Sequence, residues 1–341
     1  MNIRFPAEWE PQDGILLPWP HPATDWVDIL DLAEPVFIEI ARHTSRFEKV
    51  IIIAPETAAL PEKLAAAGVR LENIRLVDVT TNDTWARDYG PITVISNKQP
   101  TILDFTFNGW GNKFAAELDN KVTSILAKRG LFAEKLSHPF DMVLEGGSLE
   151  SDGKGNLLTT CRCLLNPNRN PQMSQEEITQ TLEKELGVEN ILWLDSGMLQ
   201  GDDTDSHIDI LARFAPDNTI IYVECRDEQD LHFNELAVMR KELETFRNEN
   251  NQPFRLVPLP MPAARFDDDG NRLAATYANF LVINGAVLVP TYDAPEDQAA
   301  CDIIATAFPG REIISINCLP LIYQGGSLHC STMQLPQGVL A

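Results

Sequence analysis

Apolar runs along the chain alternate with turn-forming residues in one repeated plan: two strands joined by a tight turn, then an amphipathic helix, then one more strand. The first clear copy predicts strands at 85–95 and 101–107 around Ser96-Asn97-Lys98-Gln99-Pro100, a helix near 113–129 and a strand near 134–136. A second runs from 142–151 through Asp152-Gly153-Lys154-Gly155 to 156–161, a helix at 175–186 and a strand at 190–194. The third has strands at 207–214 and 219–224, a long helix at 228–249 and a strand at 254–259. The fourth turns at Asn284-Gly285 between strands at 275–283 and 286–290, then predicts a helix at 296–308 and a strand at 312–316. A fifth is split between the chain ends: 325–335 supplies one strand and 13–19 another, followed by a helix at 29–43 and a strand at 49–54.

Successive turns lie about sixty residues apart, a spacing that signals a propeller or solenoid. A unit completed jointly by both ends closes a ring and leaves no open edge. The expected fold is therefore α/β: one five-unit ring, a single domain over 1–341. Helices would lie outside, and the first strand of each unit would point towards a shared axis.

Polar residues at the starts of those inner strands stand out, because apolar ones belong there. The run 324–336 is expected as the last strand. Its Gly325-Gly326 pair permits close approach to a ligand, and alternation of Leu328, Cys330 and Thr332 puts the Cys330 sulfur on one face. His207 and Asp209 are i and i+2 on an expected strand, which sets an imidazole beside a carboxylate. His329, adjacent to Cys330, faces the other side and ranks below His207 as a base. Asp88 and Glu145 arrive at corresponding places in the other units. Asp202 and Asp203 are read as loop caps. The run from Asp203 lacks the Gly and Glu of a calcium loop, since Ile208 and Phe214 stand at those positions.

Lys plus Arg number 27 against 50 Asp plus Glu, a formal net charge of −23, which disfavours nucleic acid and anionic lipid and favours cationic ligands. Six scattered cysteines do not form a disulfide framework, and Cys161-x-Cys163 reads as a strand with two buried thiols and not as half of a zinc site. The opening residues lack a basic region followed by an apolar run, and no apolar stretch reaches membrane-spanning length, so a cytoplasmic protein is expected.

Motifs spread over nearly the whole chain resemble the agmatine deiminases, within the guanidine-modifying penteins, which are five-bladed α/β propellers. They are Pro6-Ala7-Glu8-Trp9-Glu10-Pro11-Gln12-Asp13-Gly14, Thr84-Trp85-Ala86-Arg87-Asp88-Tyr89-Gly90-Pro91, Asn108-Gly109-Trp110-Gly111-Asn112, Glu145-Gly146-Gly147, Asp205-Ser206-His207-Ile208-Asp209, Thr276-Tyr277-Ala278-Asn279-Phe280 and Gly326-Ser327-Leu328-His329-Cys330. Two departures are Ser327-Leu328 for the family's Asn-Ile and Ser206 for a frequent Gly. The resemblance implies Cys330 as nucleophile, His207 as general acid and base, and Asp88 and Asp209 as carboxylates gripping a guanidinium. Glu145, Trp85, Trp110 and Asp205 are expected substrate contacts, with Arg87 the only Arg of these segments. The implied activity is hydrolysis of agmatine to N-carbamoylputrescine and ammonia through an amidino-cysteine intermediate. Deimination of arginine or peptidyl-arginine, amidino transfer and a non-enzymatic acidic binding propeller are the alternatives. The implied partner is a small cationic guanidine, with no nucleic acid, membrane, metal or organic cofactor, and a homodimer stays open as the assembly.

Overall fold

The computed structural model describes residues 3–133 and 140–341. Among them, the strands form five sheets of three or four strands and one two-stranded pair. Three units follow the expected plan closely. Glu150–Ser151 pairs antiparallel with Asn156–Thr160, and the helix Gln175–Leu186 carries the chain over to Asn190–Leu194, parallel to Asn156–Thr160. Ala212–Ala215, Thr219–Glu224, the helix Phe233–Thr245 and Arg255–Pro260 repeat this, as do Leu281–Ile283, Ala286–Thr291, the helix Asp297–Ala307 and Glu312–Asn317. A parallel return needs a crossover of helix length, whereas the antiparallel step needs only a tight turn. Asp217 and Asn218, at φ 58° and 56°, supply one such turn and Gly285, at φ 77°, another.

Helix Gln175–Leu186 shows why the periodicity was legible. Ser174 and Glu177 form a reciprocal capping box at its start, Ile178, Leu182 and Leu186 are buried on one face, and Gly187 ends it in the left-handed region. A Cβ on Gly187 would also lie 2.1 Å from the Ile3 carbonyl oxygen.

Both chain ends meet in one sheet. Met333–Pro336 pairs antiparallel with Gln12–Pro18, which runs parallel to Lys49–Ala54. That sheet gains a fourth strand, Ile74–Asp78, which was not expected because Ile-Arg-Leu-Val-Asp does not alternate strictly and none of its residues is fully buried. In the remaining unit Ile92–Ser96 pairs with Gln99–Leu103 and with Ile3–Arg4, while the strand expected at 134–136 lies outside the described residues. Among the described residues, no helix is long and apolar enough to cross a membrane.

The differences from expectation concentrate on polar segments. The helix expected at 113–129 begins only at Val122, after a 3-10 turn at Asp119–Lys121, and Trp110, Gly111 and Asn112 just before the expected start all have positive φ. Residues 228–232 remain outside helix Phe233–Thr245, with the Asp230 carboxylate accepting from the His232 N–H. Cys161–Leu164 is a helical turn capped by Thr160, so Cys161 and Cys163 do not extend the strand, and Cys161 is only half-buried.

Beneath this framework Glu48 is buried, its Oε2 accepting from the Asn284 N–H at 2.7 Å while Oε1 finds no partner among the described residues. Burial pushes its pKa from 4.5 up to about 7. Between those values the folded state keeps a proton that the unfolded state has released, so stability falls as pH rises through that window. At about 1.4 kcal/mol per unit the full cost is on the order of 3 kcal/mol. Glu48→Gln is expected to melt higher than wild type at about pH 8 and to differ little at about pH 5; calorimetric scans showing the same difference at both pH values would refute this origin.

Candidate active site

The residues expected on inner strands sit instead on tight turns at the mouths of the sheets. Asp88 lies in the turn Ala86–Tyr89, and Asp209 in the 3-10 turn Ile208–Ile210 that His207 caps. His207 and Asp209 therefore do not share a strand face, and it is the turn that aims both inward. Cys330 is not on an extended segment either. The Ser331 N–H donates to the Ser327 carbonyl at 3.2 Å and that of Thr332 to His329 at 3.1 Å, so the chain coils around the thiol before strand Met333–Pro336 begins. The Cys330 carbonyl accepts from the Arg87 N–H at 3.1 Å, tying this turn to the one bearing Asp88.

A cavity of about 270 Å³ opens over Cys330 and Asp88, with Trp85 and Trp110 in its wall. The Trp85 ring packs onto Gly326, where a Cβ would lie 2.4 Å from Cζ3. Trp110, held at φ 53°, donates its indole N–H to Asp88 Oδ2 at 2.9 Å, and the Gly147 N–H donates to Oδ1 at 2.9 Å. The point where a Gly147 Cβ would stand is 2.5 Å from His207 Nδ1, 2.7 Å from Asp88 Oδ1 and 3.2 Å from Asp209 Oδ2. Three functional side chains thus converge where only a glycine fits.

Directly behind the cavity, His207 Nδ1 lies 3.6 Å from Asp88 Oδ1 and its Nε2 2.7 Å from Glu145 Oε2. Arg169 grips Glu145 with two hydrogen bonds of 2.9 Å, and its remaining nitrogen bonds Asp205 at 2.7 Å. The Cys163 thiol donates to Glu145 Oε2 at 3.7 Å. Cys330 Sγ is 3.7 Å from Asp209 Oδ2 and accepts from the Asn279 amide at 3.2 Å. Among the described residues, His207 Nδ1 and Asp209 Oδ1 are buried without hydrogen-bond partners. Buried polar atoms left unpaired beside a cavity mark a place for a polar ligand.

Burial raises the Asp88 pKa to about 6. Burial, then Asp209 and Asp88, push the Cys330 thiol well up. For His207 burial acts downward, but Asp88, Cys163 and Glu145 outweigh it and favour the imidazolium. Burial opposes ionisation of Glu145 and Asp209 too, yet His207 and Arg169 lower the first and His329 the second.

Cys330, Asp88, Trp85 and Trp110 thus line the cavity, and His207 and Asp209 stand against them. Glu145 and Asp205 do not line it: Glu145 is occupied by His207 and Arg169, and Asp205 by Arg169 and Lys113. Asp202 is a loop cap, accepting from the N–H groups of Thr204 and Ser206, whereas Asp203 faces the cavity and burial raises it to about 6. Ser206, where the family often has Gly, takes φ 65°, a strained position for a side chain. Arg169 was missed because it lies in a polar loop, Asn168-Arg169-Asn170, without periodicity. Asn279 lay within a quoted motif, but nothing in its spacing gave it a role.

A family model described as Porphyromonas-type peptidyl-arginine deiminase matches residues 4–336. The agmatine deiminase of Pseudomonas aeruginosa (strain LESB58) is 33% identical over 360 residues, covering 98% of this chain and 96% of that protein. Among solved structures, a cysteine-to-serine variant of C. jejuni agmatine deiminase with substrate bound superposes with a TM-score of 0.91 at 39% identity, covering 98% of this chain and 97% of the other. A Porphyromonas gingivalis protein provisionally named an arginine deiminase gives 0.92 at 48% identity, covering 99% and 100%.

A thiol pressed by two carboxylates reacts slowly with alkylating agents. Iodoacetamide is expected to label Cys330 slowly near neutral pH, and Asp88→Asn to speed labelling by removing one of the two carboxylates that oppose the thiolate. Peptide mass spectrometry reads this directly; labelling of wild-type Cys330 at the rate of an ordinary exposed thiol would contradict it.

Proposed function

The chain belongs to the Porphyromonas-type peptidyl-arginine deiminase family, and on that premise we propose that it is an agmatine deiminase built as a single five-bladed pentein domain. The three regular strand-strand-helix-strand units and the sheet shared by both chain ends support that architecture. One observation carries the chemistry. The Cys330 thiol and the Asp88 carboxylate line one cavity, Asp209 and His207 lie within 3.7 Å of them, and His207 Nδ1 and Asp209 Oδ1 are buried without hydrogen-bond partners among the described residues.

A guanidinium is planar and offers only donors, so Asp88 and Asp209 hold it by charge-assisted hydrogen bonds with its central carbon facing Cys330. Arrival of the cation offsets the two carboxylates and lowers the thiol pKa, so the thiol gives up its proton to solvent and the thiolate forms where it is used. The sulfur attacks the carbon and forms a tetrahedral adduct. His207, an imidazolium at rest, gives its proton to the departing nitrogen, and ammonia leaves. The remaining cationic amidino-thioether is attacked by water, one proton of which passes to the now neutral His207; collapse then expels the sulfur, which takes the remaining hydroxyl proton and re-forms the thiol, and gives the ureido product. Glu145, fixed by Arg169, orients His207 and stabilises its charge. The reaction as written draws on protein groups alone.

Agmatine is favoured over arginine by the charge around the cavity. Asp25, Asp83, Asp203 and Asp267 line it, and the guanidinium of Arg272, which also lines it, is paired with Asp230 at 2.8 Å. An ammonium tail suits that surface, whereas an α-carboxylate would meet like charge with no unpaired cation among the described lining residues to offset it.

The test is ureido-product and ammonia release from agmatine, arginine and a peptidyl-arginine at matched concentrations, with agmatine expected to be turned over fastest. Faster turnover of either other compound would overturn the substrate while leaving the deiminase chemistry. Cys330→Ala is expected to abolish turnover with the fold intact, and His207→Gln to slow it by at least ~10²-fold; normal ammonia release by folded Cys330→Ala would sink the nucleophile assignment.

A further inference from the structure

His329 and the N-terminal motif around Glu8 take no part in the chemistry above, yet both are tied to it. We propose that His329 is a positioning residue for Asp209, with Glu8 as its outer anchor, an inference that rests on Asp209 being a guanidinium-gripping carboxylate. The His329 ring is fully buried, with Nδ1 2.8 Å from Asp209 Oδ2 and Nε2 2.7 Å from Glu8 Oε1. Glu8 is itself gripped by Arg87 at 3.2 Å and by Arg213. The backbone N–H of His329 donates to Asn279 Oδ1 at 2.9 Å, and the same side-chain amide reaches Asp209 Oδ2 at 3.3 Å and Cys330 Sγ at 3.2 Å.

These contacts fix one oxygen of Asp209 and leave the other open. Oδ2 takes His329 and Asn279, while Oδ1 has no partner among the described residues. A carboxylate offers only lone pairs, so each ring nitrogen must donate for both contacts to be hydrogen bonds. Burial, Arg213 and Arg87 pull the ring's pKa down against the upward push of Glu8 and Asp209, so the ring's place between the two carboxylates rests on its contacts and not on its charge. Without Glu8 the ring has no reason to hold this orientation, and without the ring Asp209 can rotate about its own side chain. Asp209 then presents its free oxygen to the guanidinium only part of the time, which weakens substrate holding before it affects proton transfer.

Two substitutions divide the ring's functions. The amide nitrogen of Asn can replace Nδ1 and keep the bond to Asp209, whereas that of Gln reaches the place of Nε2 and keeps only the bond to Glu8. With whichever guanidine the wild type hydrolyses, so that an error about the substrate is not confused with an error here, His329→Gln is expected to lose about 10²-fold in kcat/KM, chiefly through KM. His329→Asn should stay within about tenfold of wild type although it melts no higher than the Gln variant. Equal losses in the two variants, a better Gln variant or wild-type kinetics in both would overturn the proposal. Should neither variant fold, Glu8→Gln decides: a rise in KM of about threefold or more supports the anchor, and unchanged KM refutes it.

Discussion

A carboxylate taken out of water costs several kcal/mol unless charge or donors meet it, and this fold buries Asp88, Glu145, Glu150 and Asp209 close together, with Glu8 partly buried beside them. Most are met by permanent cations. Arg169 holds Glu145, and Arg213 lies between Glu8 and Glu150. Asp88 and Asp209 are the exceptions, since among the described residues neither is paired with Arg or Lys: Asp88 has the Trp110 and Gly147 N–H groups and the His207 ring at 3.6 Å, and Asp209 has the His329 ring and the Asn279 amide. The negative charge not met by a permanent cation therefore sits at the cavity and directly behind it. A cationic substrate completes an electrostatic arrangement that the protein leaves unfinished.

The same logic explains the sequence positions. Two functional layers lie behind the cavity floor, Glu145 with Arg169 on the His207 side and His329 with Glu8 on the Asp209 side. Each pairs a side chain near the reacting atoms with one from a distant part of the chain. Glycine is needed where these layers touch, as at Gly147, because the space between Asp88 and His207 is smaller than a methyl group.

The repeated strands and helices were legible because their periods of two and about 3.6 residues survive burial. Strands Thr219–Glu224 and Lys49–Ala54 and helix Gln175–Leu186 lie where the pattern put them. The site was legible as a set of residue types but not as geometry. Alternation suggested strands at 207–209 and 328–332, whereas short side chains there bond to nearby backbone and stabilise turns: Thr204 Oγ1 accepts from the His207 N–H, and Ser331 Oγ donates to the Ser327 carbonyl. Asp205 and Glu145 were read as facing substrate because their charge was visible and their partner was not; Arg169 reaches them from a loop with no pattern to mark it.

The sheet that joins the chain's two ends also sets a schedule. Cys330 is placed by a turn running into Met333–Pro336, and that strand finds its partner at Gln12–Pro18 almost a full chain length away. During synthesis His207, Asp88 and Asp209 emerge before Cys330 does, and the Cys330 sulfur is seated only when that distant pairing forms. Contacts of such separation are made late and slowly. The last part of the site to take its place is thus the sulfur, held back by the longest-range pairing of the sheet.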